Sequence, residues 1–411
     1  MRQREGVHCR QRGTKMAQLP KRARVVIIGQ GGIVGSSVAH HLIEQGWDDI
    51  VGLEKSAIPS DIGSTSHASD FCFTTSHDKL NIYTTKYSQA FYEKRGNYVK
   101  CGGMEVARSD DDERMDELRR KVGSGKAFGT NVSMISPKQA KELFPLLDES
   151  QIQGAMWDPD AGLVVPRSQS VAGDLVEEAV ATGKLQAFAY TPAIWGPLMA
   201  NTANAPLPLM PLEHPLLFFG PYEELNGTGK QIVYPLFRDQ GNSAYVRDTG
   251  DPTTTEGGRI EWGYYEAENP RLVYPGAIAE PGDARMSPSM RDLSLDQVMD
   301  AYEKAIEMTP ILGELGWEEK HSFNGLLSVT PDGGSLMGES PEVRNLWFCE
   351  AVWVKDGPGA GKVLADWMTH GSPQMDPHSI ASLPAAENPG LRVQPLLRDG
   401  QKDLHPGGSP P

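Results

Sequence analysis

A glycine-rich turn between a short apolar strand and an apolar helix is the part of this chain best suited to bind a phosphate. The strand is Arg24–Ile28, and the helix continues to Gly46. Glycine is needed in such a turn because a positive φ angle and close backbone approach leave no room for a Cβ atom. The helix points free N–H groups and its positive end at a pyrophosphate. A second strand ends at Glu54, about 20 residues further on, where an acidic side chain accepts hydrogen bonds from ribose hydroxyls. The candidate nucleotide-binding residues are Gly29, Gly31, Gly32, Ile33, Val34, Gly35, Glu54 and Lys55.

The segment after Lys55 bears on which dinucleotide is bound. A polar, glycine-bearing loop from Ser60 to Ser69 stands where a further strand and helix would follow in an NAD-binding domain. The loop contains His67, and a neutral imidazole can act as a nucleophile toward a cofactor. The alternative is a loop histidine that hydrogen-bonds to the backbone. The candidate residues of this loop are Gly63, Ser64, Thr65, Ser66, His67 and Ala68.

The turn, Glu54 and the loop together resemble the FAD-binding start of the D-amino-acid-oxidase-like flavoproteins. The loop, with the pattern Gly-Ser-Thr-x-His-Ala, resembles the stretch where the dimethylglycine and sarcosine dehydrogenase branch attaches its flavin covalently to a histidine. The resemblance implies FAD as the cofactor and His67 as the point of attachment. The sequence departs from the family at Ser69 and Asp70, where small apolar residues or glycine are usual.

The resemblance also implies the fold class, which is α/β. It implies a Rossmann-like FAD-binding domain of the glutathione-reductase type and an α+β substrate domain built on a largely antiparallel sheet. Strand signals between residues 210 and 265 agree with such a sheet, and Ser136 to Gln139 has the pattern of a helix start. The predicted division is a basic leader (1–21), the FAD-binding domain (22–85, 160–200 and 325–370), the substrate domain (86–159 and 201–324) and a disordered tail (371–411).

His214 is the candidate catalytic residue. It matches a histidine that the family places near the flavin ring, where it could hold or deprotonate an amine. The resemblance implies a small amine or amino-acid substrate, N-methylated as in dimethylglycine or sarcosine, which is oxidised by hydride transfer to flavin. It implies an electron-transfer flavoprotein or oxygen as the electron acceptor. Arg238 and Arg247 are candidates for a carboxylate clamp, with surface salt bridges as the alternative.

Two further segments match motifs of the family. One is Ile194 to Pro197, which in the family follows the last strand of the FAD-binding sheet. Near the C-terminus a strand leads through a glycine-rich turn into a helix, which the family places beside the flavin pyrimidine ring. Helix N-terminal amides there would stabilise negative charge on the reduced flavin. Lys355 and Asp356 are not the family's usual residues. The candidate cofactor-binding residues of these segments are Trp195, Val352, Val354, Lys355, Asp356 and Gly357.

One connection is too short for the family's fold. A strand at Leu185–Tyr190 is separated from the family motif at Ile194 to Pro197 by residues 191–193 alone. The family has a connecting hairpin and a returning strand here, and parallel strands need a crossover of about a dozen residues or more. The chain is therefore predicted to lack part of its FAD-binding domain near Ala193. This gap supports the alternative hypothesis of a truncated, inactive flavin-binding remnant.

Composition excludes several other classes of function. A net charge of −15 and a pI near 5.2 disfavour nucleic acid as a partner. No apolar run reaches the roughly 18 residues of a membrane span. The four cysteines form no CxxC pair, so no metal site is expected. Residues 1–24 are rich in arginine and poor in acids, which is typical of a mitochondrial transit peptide. A cytoplasmic protein that starts at Met16 is the alternative.

Overall fold

The computed structural model of the protein describes residues 19–74, 76–189, 196–253, 257–265, 270–273, 290–291, 293 and 295–375. The short link at residues 191–193, Trp195, and most of the leader and tail lie outside these ranges. Within them, no helix is long and apolar enough to cross a membrane.

Helices and strands alternate in the first part of the chain, and strands dominate the middle. The helices are α1 Ile33–Glu44, α2 Lys79–Lys94, α3 Asp112–Ala127, α4 Pro137–Leu143, α5 Ser168–Ala181, α6 Gly196–Thr202, α7 Met299–Met308, α8 Ile311–Leu315 and α9 Gly357–His370. The strands are β1 Val25–Ile28, β2 Ile50–Glu54, β3 Phe71–Cys72, β4 Tyr98–Lys100, β5 Gly103–Arg108, β6 Ser133–Ile135, β7 Ile152–Asp158, β8 Gly162–Val164, β9 Leu185–Ala189, β10 Met210–Phe219, β11 Leu236–Asp239, β12 Ala244–Asp248, β13 Ile260–Tyr264, β14 Met290–Arg291, β15 Phe323–Val329, β16 Leu336–Glu339 and β17 Trp347–Glu350.

The predicted nucleotide-binding unit is a parallel sheet covered by helices. The described strands pair in the order β1-β2-β9, with Val25 opposite Ile50 and Ile50 opposite Leu185. Because Ile27 and Ile50 are buried, one face of the sheet forms a core with apolar residues of α1, α5 and α9. This strand-helix-strand arrangement places the glycine turn at the carboxyl end of β1, where nucleotide-binding sheets hold their ligand.

A larger sheet carries the middle of the chain. Its order is β14-β15-β10-β13-β12-β11-β5-β7-β6, and all neighbouring pairs are antiparallel except β11 with β5. Trp262 and Phe237 are fully buried in its core, where the ring of Phe237 stacks on that of Phe144 at 4.9 Å. The prediction of an α/β fold with a largely antiparallel second sheet is confirmed. The exact domain boundaries stay a prediction.

Candidate active site

The glycine turn between β1 and α1 packs so closely against β2 that it excludes larger residues. Gly29 has a φ of +84°, a left-handed value that favours glycine. A Cβ atom on Gly31 would lie 2.8 Å from Oε2 of Glu54, and one on Gly35 would overlap the carbonyl oxygen of Gly29. The N–H of Gly31 instead donates to Oε2 of Glu54 at 2.9 Å. The geometry of the turn therefore requires glycine at these positions.

The loop that contains His67 lies directly on this turn. The N–H of Ser60 donates to the carbonyl of Gly31 at 3.0 Å. Gly32 precedes α1 without a side-chain cap of its own, and the N–H of Ile33 donates to Oγ1 of Thr65 at 3.2 Å. The loop thus supplies a hydroxyl at the first turn of α1, beside the helix end that is suited to an anion.

His67 is held as a neutral imidazole with a defined tautomer. Its Nδ1 lies 3.1 Å from the carbonyl oxygen of Gly63. Because a carbonyl can only accept, Nδ1 carries the hydrogen and Nε2 keeps its lone pair. Burial lowers the pKa of His67 below its ordinary value. Its ring meets that of Phe323 edge-on at 5.7 Å. The side chain therefore has the protonation state of a nucleophile.

His214 belongs to a hydrogen-bonded chain of three side chains. Its Nδ1 lies 2.8 Å from the carbonyl oxygen of Tyr264, so Nδ1 is the donor, and Nε2 accepts from the hydroxyl of Tyr245 at 3.0 Å. The hydroxyl of Ser69 lies 3.0 Å from the Tyr245 oxygen and donates to it, since the tyrosine proton is already committed. The ring of Tyr265 stacks on His214 at 4.5 Å. Burial lowers the pKa of His214 to about 4.

Tyr245 and Ser69 are site residues that sequence reasoning did not single out. Tyr245 was one of many aromatic residues in the strand-rich middle, and Ser69 counted as a departure from the family pattern. Burial raises the pKa of Tyr245 well above its ordinary value, so its hydroxyl stays protonated. The only local sign in the sequence was Tyr245 itself, the one aromatic residue of β12, and strands favour aromatic residues for other reasons.

The turn before α9 is fixed by a buried aspartate. The carboxylate of Asp356 accepts from the hydroxyls of Thr84 and Thr85 at 3.0 and 2.7 Å, and from Nζ of Lys355 at 2.7 Å. A Cβ on Gly357 would lie 2.9 Å from Cγ2 of Ile33, so α9 approaches α1 closely here. Asp356 and Gly357 thus fix the position of the turn through contacts with α1 and α2.

One cavity, of about 1510 Å³, brings most of the predicted site residues together. Gly31, Ser66, Asp356 and Gly357 are not among the residues that line it, and Trp195 lies outside the described residues. The predicted residues in its lining are Gly29, Gly32, Ile33, Val34, Gly35, Glu54, Lys55, Gly63, Ser64, Thr65, His67, Ala68, His214, Val352, Val354 and Lys355.

The two candidate arginines differ in their surroundings. Arg238 lines the cavity together with Gln240 and Tyr265. Arg247 is only 7% exposed, and its Nη2 lies 2.5 Å from Oε2 of Glu261 on the neighbouring strand. The alternative of a surface salt bridge is wrong for Arg247, because the register of β12 and β13 buries its ion pair with Glu261.

The sequence identifies the class of this protein. It matches the family described as FAD dependent oxidoreductase, abbreviated DAO, over residues 24–194 and 171–367. The chain belongs to this family, and FAD is its cofactor.

Individual relatives refine the likeness. The chain is 26% identical to the mitochondrial dimethylglycine dehydrogenase of Rattus norvegicus, over 86% of this chain and 44% of the relative. It is 27% identical to the mitochondrial sarcosine dehydrogenase of Homo sapiens, over 88% of this chain and 41% of the relative. The chain thus spans less than half the length of these curated relatives. The fold is similar to the L-proline dehydrogenase of P. horikoshii, with a TM-score of 0.69, 21% identity, and coverage of 88% of this chain and 98% of that one.

The residues around the turn fit FAD. Glycine at position 31 keeps clear the space that a Cβ would fill against Glu54 and the backbone of Ser60. Glu54 lines the cavity, where its carboxylate would accept hydrogen bonds from ribose hydroxyls, and the first turn of α1 faces the same cavity.

We expect Glu54→Gln to weaken FAD binding by roughly 10- to 100-fold, because a hydrogen bond to a charged acceptor contributes about 1.5–3 kcal/mol. The affinity should be measured by dialysis in a His67→Ala background, so that a covalent bond cannot retain the flavin. Glu177→Gln, an exposed change on α5, is the matched control. Equal FAD affinity in both variants would contradict the assignment of Glu54.

We expect His67→Ala to release all flavin into the supernatant on acid precipitation, whereas the parent keeps its flavin in the pellet, because Nε2 of His67 is the proposed point of attachment. A peptide map of the parent should place the added mass on the His67 peptide. His370→Ala, on the exposed end of α9, is the control. An unmodified His67 peptide from yellow parent protein would rule out the linkage.

Proposed function

We propose that the protein oxidises the amine of an N-methylated amino acid. The observation that supports this proposal is the hydrogen bond between His214 and Tyr245. Both residues line the same cavity as the nucleotide-binding turn and His67. The relatives named for dimethylglycine and sarcosine, which are N-methylated glycines, support this substrate class.

The site suits an amine that must lose its proton before it is oxidised. Bound FAD supplies a two-electron acceptor for the hydrogen on the carbon next to the substrate nitrogen. The nitrogen needs a free lone pair at that moment, because the lone pair stabilises the positive charge left on the carbon. Burial, which lowers the pKa of His214, also lowers the pKa of an ammonium group bound beside it. The cavity therefore favours the neutral amine.

Tyr245 provides a route for the ammonium proton. A phenol oxygen has two lone pairs, and one of them accepts from Ser69. The other can accept from the substrate ammonium while the phenol proton moves to Nε2 of His214. The carbonyl of Tyr264, bonded to Nδ1, then stabilises the charged imidazole. His214 acts through Tyr245, and Tyr245 is the residue that would touch the substrate.

Arg238 is the proposed partner of the substrate carboxylate. Arg238 lines the cavity, and Arg247 does not. Tyr265 lines the cavity beside it and also stacks on His214, so the carboxylate and the amine would bind at neighbouring positions. The planar guanidinium can bind a carboxylate through two parallel hydrogen bonds.

We also propose a mitochondrial location, supported by the names of the relatives and by the arginine-rich leader, with the cytoplasm as the alternative. The proposed electron acceptor is an electron-transfer flavoprotein or oxygen. Reoxidation of the amine-reduced protein in air, compared with reoxidation by an added electron-transfer flavoprotein, distinguishes the two.

A second candidate function is flavin binding without turnover. The observation that favours it is the outer edge of β1, which no described strand pairs with and where Val26 and Ile28 are 53% and 52% exposed. A domain that lacks a strand here would hold its cofactor less rigidly. Anaerobic addition of dimethylglycine or sarcosine distinguishes the two functions, because the flavin absorbance of an active enzyme bleaches and that of a binding protein does not.

We expect Tyr245→Phe to lower kcat/KM by about 100-fold or more at pH 7, the range for loss of a positioned proton-transfer group. The defect should shrink as the pH rises toward 10, because more of the substrate is then already neutral. His214, with a pKa of about 4, stays neutral throughout this range. Tyr302→Phe is the control, since that hydroxyl donates to the carbonyl of Leu312 and does not line the cavity. A defect that is the same at every pH would contradict the proton-removal role.

We expect Arg238→Met to raise KM for dimethylglycine by roughly 10- to 100-fold, since a hydrogen-bonded charge pair contributes about 1.5–3 kcal/mol. The same change should leave KM for N,N-dimethylethylamine, which has no carboxylate, within about twofold of the parent value. Arg120→Met, an exposed change on α3, is the control. An equal rise in KM for both substrates would show that Arg238 has a structural role instead.

A further inference from the structure

The outer edge of β1 has no strand beside it among the described residues. Of the described strands, only β2 pairs with β1. The N–H groups of Val25 and Gly29 donate toward β2, to the carbonyls of Asp49 and Leu53. Because successive amides of a strand point in opposite directions, those of Val26 and Ile28 point away from β2.

The edge of β17 is also free among the described residues, and it faces the same cavity. In the part of the chain that the structure describes, β17 pairs with β16 alone. Residues 346–350, which include all of β17, line the cavity, whereas no residue of β16 does. On the other side, residues 24–29 line it along the whole of β1. The part of the cavity between β1 and residues 346–350 is called the edge slot below.

The two strands on either side of the edge slot present matching faces. Trp347 and Cys349 pack in the same core as Val25 and Ile27, with helices α1, α5 and α9. Phe348 points the other way and packs with Ala200 of α6 and with other apolar residues. Since side chains alternate along a strand, β1 and β17 are oriented as members of one sheet. The edge slot has the form of a missing strand position.

The connection between β9 and α6 is too short to supply that strand. β9 ends at Ala189 and α6 begins at Gly196, so only residues 190–195 lie between them. These six residues could reach at most about 20 Å when fully extended. A strand parallel to β1 must start at the opposite end of the sheet from where β9 ends, and such a return takes about a dozen residues or more.

The two ends of the chain are poorly suited in composition to form the strand that would fill the edge slot. Residues 1–18 contain few apolar side chains, and residues 376–411 are rich in proline, which cannot donate to a strand ladder. The walls of the edge slot, by contrast, expose the apolar side chains of Val26 and Ile28. Glu350 lines the slot at the end of β17, and no hydrogen bond or ion pair from the described residues reaches its carboxylate. Burial raises the pKa of Glu350 to about 7.

We propose that the edge slot binds one extended segment of another polypeptide, which adds as a β-strand between β1 and β17. Its backbone would pair with the amides of Val26 and Ile28 that point away from β2, as in strand-addition complexes. Its side chains would be apolar on the face shared with Val26 and Ile28, and one basic side chain would lie within reach of Glu350. The edge slot is a different part of the cavity from the region around His214 and Tyr245, and binding of a strand there does not depend on turnover.

The test uses the full-length protein and a synthetic peptide. The peptide carries the sequence that rat dimethylglycine dehydrogenase has just before its counterpart of Ile194 to Pro197, and a scrambled version is the control. At about ten times its Kd, the peptide should slow hydrogen exchange at Val26 and Ile28 about tenfold, because only the free fraction can exchange. It should also raise the melting temperature.

Two variants separate binding to the edge slot from effects elsewhere. Val26→Lys places a charge on an exposed side chain of the slot and should abolish protection and the melting shift. Val180→Lys, at a 44% exposed position on α5, should leave both intact. Failure of the peptide to protect Val26 and Ile28 in the parent would overturn the proposal. Protection without peptide would overturn it in favour of the chain's own segments, and protection that rises with protein concentration would overturn it in favour of self-association.

Discussion

The contact between the backbone of Gly31 and the carboxylate of Glu54 is the constraint on which the site depends. It joins the ends of β1 and β2 at a separation that no Cβ atom tolerates. The carbonyl of Gly31 then accepts a hydrogen bond from the N–H of Ser60, and the N–H of Ile33 donates one to Oγ1 of Thr65. Each of these bonds ties the loop to the turn, so the position of His67 two residues later follows from the glycine. A larger residue at position 31 would displace the nucleotide site and the loop together.

His67 and His214, two of the histidines that line the cavity, are prepared for different chemistry by the same kind of hydrogen bond. In each, a backbone carbonyl fixes the hydrogen on Nδ1: Gly63 for His67 and Tyr264 for His214. Burial lowers the pKa of both, so each presents an unprotonated Nε2. For His67 that atom is the proposed nucleophile toward the cofactor. For His214 it is already bonded to Tyr245, which makes it a proton acceptor that works through a neighbour.

Sequence reasoning predicted the features that depend on neighbouring residues. The glycine turn and the capping box of Ser136 and Gln139 are local, and the structure contains both. The link between Ser69 and Tyr245 was not predictable, because it joins positions far apart in sequence. The ion pair of Arg247 was not predictable for the same reason. Its partner Glu261 lies directly opposite on β13, and only the register of the two strands reveals that pair. Pairings across a sheet require the register, which the sequence pattern alone does not provide.

The described part of the chain raises the question of what holds β17 in place beside β1. No described strand bridges it to β1, so the connection passes through α9, which follows β17 after a short turn. A Cβ on Gly361 would lie 2.7 Å from Cβ of Ser37, and one on Gly359 would overlap the backbone of Thr84. α9 is thus packed against α1 and α2 with backbone nearly in contact. Helix packing therefore holds β17 and β1 against the same core, although no described strand lies between them. Among the described residues, the same packing leaves one edge of each strand unpaired, which is what the addition of a strand requires.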